Sequence, residues 1–266
     1  DDIFSGNAQG MELSGATVSY SNVRWGWSYP YPSGSNISID PLFTFENDGH
    51  LLPGSPCIDA GTNTPTGGLS ETDLDGNPRV VDGDSDGKAT VDMGAFEFNS
   101  AVSRLAISDS EFTFSCAKDG PNPEPQVLQI RNCNGGNIDW EIIENCPWLN
   151  VSPKIGTSSG SPSSVIITLD ANQLDIGSYQ ADMLITSPGA AGSPQTVHVT
   201  VKVGRLLSVP QNFYTIQKAI DDANNGDWVV VADGTYTGVG NRDIDFRGKA
   251  ITVHSQNGPE TCIIDC

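Results

Sequence analysis

Residues 195–203, QTVHVTVKV, alternate apolar and polar side chains without a break. Val197, Val199, Val201 and Val203 fall on one side of an extended chain, His198, Thr200 and Lys202 on the other. A period of two with β-branched residues at each inward position predicts a strand that lays one face on a core. Moving outward, the same grammar recurs in LAIS (105–108), EFTFSC (111–116), QVLQIRN (126–132), IDWEII (138–143), WLNVSP (148–153), SVIITLD (164–170) and YQADMLITS (179–187). Clusters of Gly, Pro, Asn and Asp separate these runs, as turns require. So many short strands in about a hundred residues predict an immunoglobulin-like sandwich over 101–204.

Only TIQKAIDDANNGD (215–227) reads as helix. Ile216, Ala219, Ile220 and Ala223 fall at i, i+3, i+4 and i+7, with Thr215 placed as N-cap and Gly226 just past the end.

Composition narrows the partners. The 266 residues carry 33 acidic and 13 basic side chains, 29 Gly and 17 Pro. Residues 1–100 hold 15 acids and 3 bases, 101–204 hold 10 and 5, and 205–266 hold 8 and 5. Such an excess excludes a nucleic-acid backbone or an anionic membrane surface as a natural partner. No apolar run approaches the ~20 residues of a membrane helix, so no membrane insertion is expected. The opening DDIFSGNAQG has neither a basic start nor an apolar core, and the chain is expected to belong to a longer or processed polypeptide. Six cysteines without CxxC spacing and three scattered histidines argue against zinc. The even cysteine count, with abundant Asn, Gly, Ser and Thr, points to an extracellular or cell-surface setting.

Three stretches resemble known families. PQVLQIRNCNGGNIDWEIIENCPWLNVSPKIGTSSG (125–160), followed by VIITLDANQLDIGSYQADMLITSP (165–188), resembles a BACON-type domain over roughly Arg104 to Val203. That resemblance implies either carbohydrate binding or a spacer role, and carries over no ligand residues. In residues 1–100, VSYSNVRWGWSYPYPSGSNISIDPLF (18–43), LLPGSPCIDAGTN (51–63), DLDGNPRVVDG (73–83) and VDMGAFEF (91–98) resemble the C-terminal end of a right-handed parallel β-helix of the choice-of-anchor Q type. In residues 205–266, YTIQKAIDDANNGDWVVVADGTYTG (214–238) and GKAITVHSQNGPETCIIDC (248–266) resemble the N-terminal capping helix and first strands of a pectin-lyase-like β-helix. Val230 and Thr252, 22 residues apart, match about one coil of that fold. The expected fold class is therefore all-β: parallel β-helix segments at both ends flank an immunoglobulin-like sandwich, with one short capping helix.

VVDGDSDGKATVDMGAFEF (80–98) holds the candidate metal site. Asp82, Asp84 and Asp86 stand at positions 1, 3 and 5 of a calcium-type loop, Gly87 at the turn and the Lys88 carbonyl at position 7. Asp92 falls at position 11 rather than 12, and no flanking helices are evident. The reading adopted is a Ca²⁺ loop that is not an EF-hand, against the alternative of a solvated acidic turn. Asp73 and Asp75 in DLDGNP are second-site candidates. Trp25, Trp27, Tyr29 and Tyr31 form an aromatic loop able to stack on sugar rings or, more simply, to pack on a core. Cys133 and Cys146 flank a hairpin-like stretch and are the favoured disulfide. NIS at Asn36 and NVS at Asn150 match glycosylation acceptors, though such short matches arise readily by chance.

No GxSxG, HExxH or phosphate loop is present, and with acids this abundant spacing selects no general acid/base pair. The functional expectation is a non-enzymatic structural protein, the repeat unit of a surface fibre or giant adhesin joined head to tail with copies of itself. The alternative is a carbohydrate-binding accessory region of a secreted polysaccharide-degrading enzyme.

Overall fold

The computed structural model describes residues 3–4, 19–23, 35–46 and 48–265. Two-residue strands β1 (Ile3–Phe4) and β2 (Asn22–Val23) come first. Nine strands follow: β3 (Leu105–Ile107), β4 (Glu111–Ala117), β5 (Gln126–Asn132), β6 (Asn137–Ile143), β7 (Leu149–Ser152), β8 (Ile155–Ser159), β9 (Ser163–Leu169), β10 (Gly177–Thr186) and β11 (Gln195–Gly204). Then come β12 (Leu206–Val209), helix α1 (Ile216–Asp222), β13 (Trp228–Val231), β14 (Gly234–Thr237), β15 (Thr252–Ser255) and β16 (Cys262–Asp265).

The nine central strands form an immunoglobulin-like sandwich. One sheet runs β4-β11-β10-β6-β8 and the other β3-β5-β9-β7. β11 lies inside its sheet, antiparallel to β10 from Gly177↔Val203 to Ile185↔Gln195 and parallel to β4 from His198↔Glu111 to Gly204↔Ala117. Its four valines are buried, with Leu128, Ile130, Val165 and Ile167 in the same core. Each fully buried side chain of this kind contributes about 1.5–3 kcal/mol relative to exposure. The core of the sandwich is thus continuous and its own. β8 is the strand that sequence pattern misses: IGTSS holds one apolar residue, and Ile155 is exposed at the sheet edge.

Residues 35–103 fold differently. Isolated bridges (Phe43↔Leu51, Thr72↔Pro78, Val81↔Thr90) stand where strands would be, around a small cluster of Leu51, Cys57, Met93 and Phe98. The segment rests on the sandwich through Arg131, whose Nη1 donates to the Thr44 carbonyl at 3.1 Å while the guanidinium lies over the Phe45 ring. A second tie is the 2.6 Å ion pair between Arg104 Nη2 and Asp75 Oδ2.

After the sandwich, β12, β13 and β15 pair in parallel in one sheet, and β14 and β16 in another. Helix α1 buries Ile216, Ala219 and Ile220 beneath them, with Ala223 just past its end. Thr215 caps the helix by accepting from Lys218 N, as its position predicts. At the other end Lys249 Nζ donates to the carbonyls of Ile220 and Asp221.

The expected β-helix segments are a correction. The structure shows an all-β chain dominated by two largely antiparallel sheets and no parallel β-helix among the described residues. Between Ser35 and Ser103 the chain makes turns and single bridges rather than stacked rungs. Gly, Pro and Asp there break extended runs, and backbone groups turn to side chains for partners. Beyond the sandwich, parallel pairing stops at three short strands in one sheet and two in the other. Thr252 pairs with Trp228 rather than Val230.

Candidate functional site

The aspartates of 80–98 form a hydrogen-bonded knot. Asp82 accepts from Asp86 N at 3.0 Å and from Gly87 N at 2.9 Å, while Asp84 Oδ1 also accepts from Asp86 N. Asp86 Oδ1 accepts from Lys88 N at 2.7 Å, so Lys88, expected to offer its carbonyl, enters through its amide. Gly87 makes the turn at φ 90°, a conformation that L side chains rarely adopt.

Asp59, which no spacing singles out, completes the site. Its Oδ2 accepts from Gly83 N at 3.0 Å and Asp84 N at 2.9 Å, and its Oδ1 from Thr90 N at 3.3 Å. One carboxylate oxygen each from Asp59, Asp82 and Asp84 lies within 4.8 Å of the others. These are hard oxygen donors of the kind Ca²⁺ takes. Burial raises the Asp59 carboxyl above its ordinary value, against the amides of Asp84 and Thr90 that hold it down.

The other predicted ligands are not brought to this trio. Asp92 is buried, its Oδ1 accepting from Asp59 N and its Oδ2 from Phe98 N, both at 2.7 Å. Burial pushes its carboxyl up to about 6. Its own amide donates to buried Glu97, which burial and then the charge of Asp92 push up to about 8. Glu97 Oε1 accepts from Arg79 Nη1 at 2.7 Å. Asp73 accepts from the amides of Asp75, Asn77 and Glu97; burial works to raise its carboxyl, and these bonds outweigh it. Asp75 is bound to His50 and Arg104 and offers nothing to the aspartate loop.

Beside the trio lies a cleft of about 730 Å³ between the 35–103 segment and the β5–β6 turn of the sandwich. Pro53, Ile58, Asp84, Ser100, Ser103 and Asn134 line it. None of the residues lining it is basic. The aromatic loop Trp25, Trp27, Tyr29 and Tyr31 lies outside the described residues. Of the glycosylation matches, Asn36 uses its Oδ1 to accept from Ser21 N, whereas Asn150 is exposed on β7.

The disulfide expectation is corrected as well. Cys133 and Cys146 are free, as are Cys57, Cys116 and Cys262. Cys133 precedes β6 and Cys146 follows it, so the full strand, roughly 23 Å at ~3.3 Å per residue, separates them. A disulfide bridges Cα atoms no more than about 7 Å apart. Burial pushes the Cys133 thiol up to about 12 and keeps it neutral.

No family model matches the chain, and no curated protein matches it. Among solved structures, a Bacteroides ovatus GH5 xyloglucanase in complex with a XXXG heptasaccharide is 21% identical over 42% of this chain and 21% of its own, at a TM-score of 0.29. A putative carbohydrate binding protein from Bacteroides ovatus ATCC 8483 is 13% identical over 37% of this chain and 36% of its own, at 0.31. The ASH / PapD-like domain 7 of human CEP192 is 15% identical over 38% of this chain and 84% of its own, at 0.30. Likenesses of this extent assign neither an activity nor a ligand to this chain.

Proposed function

We propose that this chain is a non-enzymatic, extracellular structural module that joins copies of itself head to tail, with calcium stabilising its aspartate loop. The observation that carries the reading is a gradient of burial after the sandwich. In β12 and β13, Leu207, Val209, Val229 and Val231 are buried. In β15 no residue is fully buried, and in β16 Ile263 and Ile264 are about half exposed, at 52% and 49%. β15 and β16 are each paired on one side only. Open edges of this kind template pairing with another chain. At the opposite end of the chain, β1 is likewise an edge strand in a parallel pair among the described residues. Two different surfaces meeting in one sense give a heterologous contact, which propagates into a filament unless it closes.

Among the described residues no helix is long and apolar enough to cross a membrane. Cys57, Cys116 and Cys133 are buried, and buried thiols are inert, which leaves these three compatible with an oxidising exterior.

Sedimentation velocity across a concentration series tests association. Thr252 and Gln256 donate to carbonyls around β13, so the alternation of the ladder turns the Ser255 N–H to the open side. Ser255→Pro removes that donor, and Ile264→Lys puts a charge on the exposed face of β16. The wild type is expected to form larger species as concentration rises, and both variants to stay monomeric. A wild type that sediments as a monomer throughout overturns the reading.

A further inference from the structure

Outside the aspartate loop, a second cluster of titratable groups sits where the 35–103 segment meets the sandwich. His50 Nδ1 bonds Asp48 Oδ1, and its Nε2 lies 2.9 Å from Asp75 Oδ2. Asp75 Oδ2 is also the atom held at 2.6 Å by Arg104 Nη2, at the entrance to β3. The imidazole stacks on Phe96 with 3.8 Å between ring centroids, and its side chain is 14% exposed. The groups facing it are therefore two carboxylates, one guanidinium reaching in from the sandwich, and one phenyl ring. Behind Arg104, the neutral Cys133 thiol adds no charge.

We propose that His50 is a proton-operated clasp that holds the 35–103 segment onto the sandwich through the chain Asp48–His50–Asp75–Arg104. A neutral imidazole carries one N–H and one lone pair. With a carboxylate at each nitrogen, the neutral ring turns its lone pair on an anion whichever tautomer it adopts. Only the imidazolium donates to both. The protonated ring also balances a local charge that Arg104 alone leaves one short: two carboxylates against one guanidinium. Deprotonation turns one of those bonds into a repulsion, and Asp75, shared with Arg104, transmits the loss to the junction.

The titration agrees in direction. Burial works to lower the His50 value, and the bonds to Asp48 and Asp75 outweigh it, so it is raised above the ordinary 6.5. For a base raised on folding, the added stability is fully present below the ordinary value. It is lost as pH rises through the raised one. The clasp is closed below the ordinary imidazole value and opens as pH rises through the raised one.

The test uses the full chain. His50 is one of three histidines, with His198 and His254, so its ring resonance in an NMR titration is identified by His198→Gln and His254→Gln. His50 is expected to titrate above 6.5, and in Asp48→Asn to lose about one unit, or about tenfold in proton affinity. In parallel, protease cleavage in the 99–103 link, normalised to an unstructured reference peptide, is expected to accelerate as His50 deprotonates. Titration at or below the ordinary value, no change in Asp48→Asn, or cleavage indifferent to pH each overturns the clasp.

Discussion

Asp59 Oδ2 accepts from an amide 24 residues along the chain, at Gly83, and that distance explains why it escapes a reading by spacing. Spacing singles out Asp82, Asp84 and Asp86 because a calcium loop places carboxylates at alternate positions of a single turn. Of these, Asp82 and Asp84 lie together with Asp59 while Asp86 does not join them. The acid that completes the group comes from another turn and is found only once the chain is folded. Asp92 was misread for the opposite reason: it is near in sequence, yet its oxygens face the amides of Asp59 and Phe98. In a segment with few strands, backbone N–H groups still need acceptors, and acidic side chains supply them. Asp59→Asn separates structure from ion binding. Asn tolerates the left-handed φ of 53° found there, and its carboxamide oxygen can keep the bonds from Gly83 N and Asp84 N, giving up only the long 3.3 Å bond from Thr90 N. Calcium at a hundred times its dissociation constant stabilises a one-site protein by about 2.7 kcal/mol. Wild type is expected to melt higher in calcium than in chelator, and Asp59→Asn to melt alike in both. A wild type indifferent to chelator leaves the knot as amide bonding alone.

Among the elements, strict alternation and a clean helical stripe gave the clearest readings, and β8 has neither. β11 and α1 bury the residues their periods name. β8 has no such signal because one partner replaces the pattern. The Trp140 ring lies across Gly156 so closely that a Cβ there would stand 2.4 Å from Cζ2 and 2.8 Å from Cε2. Trp140 is buried in the sandwich core and pairs with Gly156 in the β6–β8 ladder, so the ring has little room to move. Gly156→Ala is therefore expected to cost about 1–3 kcal/mol by overpacking, despite the usual gain of replacing Gly in a strand. At about 2–4 °C per kcal/mol for a chain of this size, the loss is visible in a melt. A melting temperature equal to or above wild type would show that β8 shifts freely and that the ring does not fix it. The parallel strands after the sandwich show the limit of resemblance: motifs placed short strands correctly without fixing how many rungs they build.

Across the whole molecule, two adjoining segments differ in what holds them. The sandwich closes over one continuous core drawn from both sheets, and its ladders satisfy the backbone internally. Among the described residues, 35–103 gather five buried hydrophobic side chains, Leu51, Cys57, Val91, Met93 and Phe98, and otherwise depend on polar bonds such as Asp59, Asp73 and Asp92 to backbone amides. Conformational entropy costs about 1–2 kcal/mol per ordered residue, and a cluster that small cannot offset it over a segment of this length. Arg131 and Arg104 fasten the segment to a surface that already exists. A fragment spanning 104–204 is thus expected to fold by itself, with dispersed amide resonances and one cooperative melt. It should be less stable than the full chain, since Cys133 loses its cover. A fragment spanning 35–103 is expected to be unfolded alone at the same temperature. Cooperative folding of that second fragment would place its stability within its own polar network, and Arg131→Ala in the full chain would then leave its melt unchanged rather than lowering it.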